Sequence, residues 1–123
     1  VPKTVLVVDD DVEILQVYQD LFGSAGFEVH KAKAGWEALV ALQTLRPAAV
    51  ILDLCMPGMN GFDVAQEITG NCFTRRTPVI VVSALSDDNS LDWIHSLGIR
   101  HYLQKPFVPS ELLGLVVSTT CGK

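Results

Sequence analysis

The stretch Val50-Ile51-Leu52-Asp53-Leu54-Cys55-Met56-Pro57-Gly58 decides how this chain is read. A short apolar run meets a single carboxylate there and then gives way to Pro and Gly. Such a run suits a strand buried on both faces of a parallel sheet, where helices cover each side and no polar face is needed. Asp53 then stands where the strand leaves the core. In open α/β sheets that carboxyl edge is where ligands bind. Taken alone, an Asp before Pro-Gly is more simply a turn or capping residue, and the neighbouring segments decide between the two.

Residues 4–8 (TVLVV) repeat the pattern and end at Asp9-Asp10-Asp11. From 12 to 25, Ile14, Leu15, Tyr18, Leu21, Phe22 and Ala25 fall at helical spacing, with Asp11 placed to favour the helix start and Gly26 to end it. Residues 27–32 alternate as an edge or half-buried strand does. Residues 35–45 read as a helix with Ala38, Leu39, Leu42 and Leu45 on one face, stopped by Arg46-Pro47. Beyond the central strand, 62–68 is a short helix and 70–77 a polar, basic connection. Residues 78–82 (PVIVV) form a further apolar strand, ending at Ser83-Ala84. A helix carrying Leu91, Ile94 and Leu97 closes at Gly98, a last strand spans 101–104 and ends at Lys105-Pro106, and 110–119 is the closing helix. Five strands alternating with five helices mean a doubly wound parallel α/β sheet, because each parallel crossover needs a helix. All the strand carboxyl ends then share one edge.

A chain of 123 residues is long enough to bury one core without disulfides or a structural metal, and residues 1–123 are read as one domain. Although 49% of the residues are hydrophobic, no apolar run is long enough to cross a bilayer and no secretory signal opens the sequence, so a cytoplasmic protein without membrane contact is expected. A net charge of -5 argues against direct nucleic-acid binding by this domain. The three cysteines, Cys55, Cys72 and Cys121, are odd in number and lack metal-ligand spacing, which suits reduced thiols.

Asp9, Asp10, Asp53, Ser83 and Lys105 should therefore meet at one edge. Carboxylates roughly 5 Å apart repel by about 3 kcal/mol per pair at an effective dielectric near 20. Lys105 offsets part of that charge. An oxygen-preferring divalent cation such as Mg²⁺ suits the remainder better than zinc, there being no His or Cys cluster.

The set Val8-Asp9-Asp10, Leu52-Asp53, Met56-Pro57-Gly58 with Gly61, Val82-Ser83-Ala84 and Tyr102-Leu103-Gln104-Lys105-Pro106-Phe107 resembles a response-regulator receiver domain of two-component signalling, of the chemotaxis-regulator type. The resemblance runs from about residue 4 to 117. It implies a flavodoxin-like (βα)5 fold with strand order 2-1-3-4-5. Asp53 matches the phosphoacceptor, which takes a phosphoryl group from a sensor histidine kinase or a histidine phosphotransfer protein. Asp10, Asp53 and the main-chain carbonyl of Cys55 match direct ligands of Mg²⁺ (or Mn²⁺), and Asp9 the acid that acts through bound water. Lys105 matches the cation on the phosphoryl oxygens, Ser83 the switch hydroxyl and Tyr102 the switch aromatic. The bond before Pro106 matches one usually cis.

That resemblance implies a signalling switch that assists only its own phosphorylation and dephosphorylation, not a turnover enzyme. A Mg²⁺-dependent phosphatase using Asp53 as nucleophile is the alternative, disfavoured because such enzymes want an acid where Cys55 stands; a receiver acting by binding alone is a third. Cys55 and Leu85 flank the path of hydrolytic water in the family, and neither orients water strongly, so a slowly hydrolysing phospho-Asp53 is expected. Leu113, Val117 and Trp93 fall off the buried stripes of their helices. The side formed by the fourth helix, fifth strand and fifth helix is therefore expected to dock an output partner or a second copy. For Asp11 a plain role as charge at the helix N-terminus is preferred, and His30, His95 and His101 are expected to be solvated.

Overall fold

The computed structural model describes residues 3–54, 61–71, 74–84 and 88–120. The elements follow one another as β1 (Thr4–Val8), α1 (Val12–Ser24), β2 (Glu28–Ala32), α2 (Gly35–Thr44), β3 (Ala49–Leu52), α3 (Gly61–Gly70), β4 (Val79–Ser83), α4 (Asp88–Ser96), β5 (His101–Gln104) and α5 (Pro109–Thr120). The five strands pair in parallel in the order β2-β1-β3-β4-β5. The chain thus reverses its direction of travel across the sheet after β2, and the switch between β1 and β3 opens the crevice where α/β sheets bind ligands.

Because successive strand side chains point to opposite faces, the continuous apolar runs feed two cores. Leu6, Val8, Val50, Leu52, Val79 and Val81 pack beneath α2, α3 and α4 with Ala38, Leu42, Val64, Ile68 and Ile94. Val5, Val7, Ile51, Ile80 and Val82 face α1 and α5, against Leu15, Tyr18, Phe22, Leu112 and Val116. No polar residue could sit inside β1, β3 or β4 without facing one core or the other. The edge strand β2 escapes this rule, and only Ala32 of its five residues is fully buried.

Two glycines set the helix ends. Gly26 (φ 92°) and Gly98 (φ 86°) take left-handed backbone conformations that residues with a Cβ avoid. After each, the next amide reaches back five residues: Phe27 N–H donates to the Phe22 carbonyl at 3.0 Å, and Ile99 N–H to the Ile94 carbonyl at 3.3 Å. These Schellman closures satisfy orphan carbonyls and turn the chain toward β2 and β5. At the other end of α1, Asp11 is the N-cap, its carboxylate accepting from Glu13 N–H at 2.9 Å.

Three side chains lie elsewhere than the helical stripes suggest. Trp93 is half-buried, its ring edge-on to Phe62 with centroids 4.9 Å apart, so it joins α4 to α3 instead of standing free. Leu113 is half-buried against the α1-facing core, because the α1–α5 contact widens the apolar stripe of α5 by one position. Val117 remains 44% exposed. Ala25, counted on the buried face of α1, is exposed as the chain turns there. No helix of the described residues is long and apolar enough to cross a membrane.

Candidate functional site

At the carboxyl edge, β1 runs into Asp9 and β3 into Asp53, whose N–H donates to the Val8 carbonyl at 3.1 Å and so fixes one strand end against the other. Asp9 and Asp53 are buried, and Asp10 is exposed. Carboxylate oxygens of the three lie within 4.8 Å of one another. Ser83, fully buried, ends β4. Its carbonyl accepts from Lys105 N–H at 2.9 Å and from the Tyr102 hydroxyl at 3.2 Å, so the last residue of β4 holds both the lysine backbone and the aromatic. The Lys105–Pro106 bond is cis. The lysine side chain then spans the edge, with Nζ 2.7 Å from Asp9 Oδ2 and 3.2 Å from Asp53 Oδ2.

Sequence reasoning thus placed Asp9, Asp10, Asp53, Ser83, Tyr102 and Lys105 together, and the structure brings them to one edge. Cys55, with its carbonyl, lies outside the described residues, as does Leu85. Gly61 carries a role that helix periodicity did not reveal. Its N–H donates to the Leu54 carbonyl at 3.1 Å, and a Cβ built on it would fall 2.5 Å from Leu54 Cα and overlap the Asp53 carbonyl oxygen. The first residue of α3 is thus pressed against the backbone that carries Asp53. Behind the acids, Tyr18 stacks on Phe107 with centroids 5.7 Å apart. Burial, then the charges of Asp9 and Asp53, push the Tyr18 phenol far above its ordinary range, so it stays neutral.

The electrostatics are set by burial. Removal from water raises the Asp9 pKa above the usual carboxylate range, against the hydrogen bonds of Lys105 and the Asp11 amide, which favour the charged form. For Lys105, burial favours the neutral amine but is outweighed by the hydrogen bond and charge of Asp9 and then of Asp53, so its pKa is raised and it stays protonated at neutral pH. Three acids against one ammonium leave two formal negative charges. That balance and an all-oxygen donor set fit a divalent hard cation, with exposed Asp10 giving it access from solvent.

A raised carboxyl pKa favours folding in acid and loses that contribution as pH rises through the folded value. Asp9→Asn leaves Lys105 its contact with Asp53 and relieves like-charge repulsion among the three acids, so it is expected to raise stability at pH 7 by about 1 kcal/mol, well below the roughly 3 kcal/mol that a close like-charge pair costs. The gain should fade as pH falls and Asp9 itself takes up a proton. Urea unfolding at pH 7 and pH 4 checks both points, and a variant less stable than the parent at pH 7 would contradict this account of Asp9.

A doubly wound (βα)5 sheet with a lysine-bridged acid cluster at its switch point defines a flavodoxin-like α/β domain. The family model for the response regulator receiver domain matches residues 5–117, and the chain belongs to that family. It is 35% identical over 116 residues to the DNA-binding response regulator MtrA of Mycobacterium tuberculosis, covering 93% of this chain and 49% of that protein. The probable transcriptional regulator ycf27 of Cyanophora paradoxa is 36% identical over 110 residues, covering 89% of this chain and 45% of that protein. The chain therefore spans about half the length of these curated relatives. Among solved structures, the chemotaxis protein CheY4 of Vibrio cholerae superposes with a TM-score of 0.89 at 29% identity over 97% of this chain and 99% of that one. The receiver domain of Francisella response regulator 1452 gives 0.86 at 32% identity over 96% of each.

Proposed function

We propose that residues 1–123 form one receiver domain whose Asp53 accepts a phosphoryl group from the phosphohistidine of a sensor histidine kinase or histidine phosphotransfer protein, in a cytoplasmic phosphorelay. The observation that carries this reading is the single ammonium of Lys105 within 3.2 Å of both Asp9 and Asp53. In the transfer, an Asp53 carboxylate oxygen bonds to phosphorus as the phosphorus–nitrogen bond to histidine breaks, and the imidazole nitrogen keeps the electron pair and takes a proton from water. Little covalent help is needed, so charge neutralisation and alignment supply most of the rate. Lys105 is placed to pair with the incoming phosphoryl oxygens, exchanging part of its contact with Asp53 for them.

Asp10 and Asp53, with Asp9 through water and the Cys55 carbonyl, would hold Mg²⁺ or Mn²⁺. The bound ion would neutralise charge on the phosphoryl oxygens. Before phosphorylation, a ligand held this way stabilises the fold in proportion to ln(1 + [L]/Kd), about 2.7 kcal/mol at a hundredfold excess over Kd. Thermal unfolding with Mg²⁺ should shift upward in the parent and scarcely in Asp10→Asn; equal shifts would remove Asp10 from the ligand set.

Phosphorylation adds negative charge and acceptor oxygens beside Ser83. A Ser83 hydroxyl bond to the new group would favour one arrangement of the end of β4, and the Tyr102 hydroxyl bond to the Ser83 carbonyl ties the ring to that choice. The readout is a shift in population at α4, β5 and α5, through which an output domain, a partner or a second copy is controlled. A DNA-binding output, as the name of MtrA describes for that protein, is one such readout.

Incubation with a small phosphodonor and Mg²⁺, followed by intact mass, tests the reading. One persistent phosphoryl adduct is expected on the parent and none on Asp53→Asn. Continuous turnover of donor without an adduct would favour a phosphatase, and no reaction a binding-only receiver.

A further inference from the structure

At the opposite edge of the sheet, where β4 and β5 begin, a groove of about 670 Å³ is lined by Arg75, Arg76, Arg100 and His101. Its apolar floor includes Val79 and Ile99, and Ser118 and Thr119 of α5 add hydroxyls to its wall. The chain has four arginines in all, and three of them converge here. Among the described residues, no acidic side chain lines the groove and none of the three guanidiniums forms an ion pair. In a chain of net charge -5, that is a concentrated exception.

Arginines beside helix C-termini can serve the helices alone, since each terminus carries about half a negative charge. The magnitudes decide against that as the whole account. The ends of α4 and α5 together supply about one negative charge, and three guanidiniums leave roughly two positive charges uncompensated. Nor does the acid cluster cancel them. The five residues of β4 separate the two edges by about 16 Å, beyond the screening length of about 8 Å at physiological ionic strength.

We propose that this groove binds a small anion carrying two or more phosphoryl groups, at a site separate from Asp53. Guanidinium forks match phosphoryl oxygens in bidentate fashion, and the volume falls within the range of small-molecule sites; the Ser118 and Thr119 hydroxyls donate to the Leu115 and Val116 carbonyls, so the arginines carry the recognition. The chemistry is shared by free polyphosphate and by a nucleoside triphosphate, and the two are separable.

Calorimetric titration of the intact protein with tripolyphosphate, in metal-free buffer, is expected to show saturable binding that weakens at least tenfold from 50 to 200 mM salt. Arg76→Ala/Arg100→Ala should weaken it at least tenfold, while Asp53→Asn leaves it unchanged, which separates this site from the phosphoacceptor edge. ATP binding tighter than tripolyphosphate would identify a nucleotide as the source of the phosphates, and equal or weaker binding the free polyanion. Citrate provides the carboxylate comparison. Citrate binding as tightly as tripolyphosphate, binding undiminished in the arginine variant, or no saturable binding to the parent would each overturn the proposal. The last of these, joined to lower stability of the arginine variant, would assign the guanidiniums to the helix ends.

Discussion

Gly61→Ala is expected to cost the fold about 3 kcal/mol or more and to lower phosphodonor labelling of the folded fraction, although the change adds one methyl group to a helix. Helix propensity alone would favour alanine by up to about 1 kcal/mol. The environment reverses the sign. The added Cβ would overlap the Asp53 carbonyl oxygen and lie 2.8 Å from the Asp53 carbonyl carbon, and these are backbone atoms with no rotamer to escape into. Either α3 moves off the sheet, breaking the Gly61-to-Leu54 hydrogen bond, or the Asp53 peptide shifts and carries the phosphoacceptor with it. Overpacking of this kind costs roughly 1–3 kcal/mol when side chains can give way, and more when they cannot. Gly114→Ala is the internal control: it lies within α5 with nothing inside 4 Å of its Cβ direction, so it should gain a few tenths to about 1 kcal/mol. Urea unfolding of both variants, with mass analysis after phosphodonor treatment, gives the comparison. A Gly61→Ala protein as stable as the parent would mean that α3 does not need its close seat under Asp53.

The contrast between these two glycines shows what the sequence could and could not convey. The apolar runs of β1, β3 and β4 identified themselves because both sheet faces are covered, and their ends located the acids and the hydroxyl without coordinates, with the lysine following at the end of β5. That works because a parallel sheet places every strand terminus of one polarity on one edge, so order along the chain becomes proximity in space. Helix packing is less legible. Trp93 and Leu113 were expected in solvent from a single-stripe reading, yet Trp93 meets Phe62 and Leu113 meets the α1-facing core, since a helix touching both the sheet and a neighbouring helix buries more than one stripe. Gly61 stands just before the short helix read over 62–68, and only the approach of α3 to β3 explains why a side chain is excluded there. The arginine groove was equally hidden, because Arg75 and Arg76 lie far in sequence from Arg100 and are joined only by the pairing of β4 with β5.

Lys105→Met is the second substitution with a large expected effect, about 3 kcal/mol of lost stability at pH 7. Methionine keeps most of the apolar stem and removes the ammonium, so the change tests charge more than packing. Without Nζ, the buried carboxylates of Asp9 and Asp53 lose the ammonium that bridges them and face each other and Asp10. Removing one partner of a buried pair costs roughly 3–5 kcal/mol, and the lower figure applies because the Lys105 side chain is 18% exposed. The pH dependence follows from Asp9. Its pKa is already raised by burial with Lys105 opposing, and loss of the lysine must raise it further. A raised carboxyl pKa contributes stability that is complete in acid and lost as pH rises through the folded value. The deficit of Lys105→Met relative to the parent should therefore shrink as pH is lowered from 7 toward 4. If Mg²⁺ occupies the acid cluster, it stabilises parent and variant alike, so the deficit at pH 7 narrows only as far as the ion binds the variant more tightly, by about 1.4 kcal/mol for each tenfold difference in Kd. Recovery of folding stability without recovery of phosphodonor labelling would separate the two duties of the lysine. One is neutralising the acids at rest, which another cation can share; the other is meeting the phosphoryl oxygens, which requires an ammonium at the position reached from β5. A deficit that stayed constant from pH 7 to 4 would show that Lys105 stabilises the fold through its stem instead of its charge.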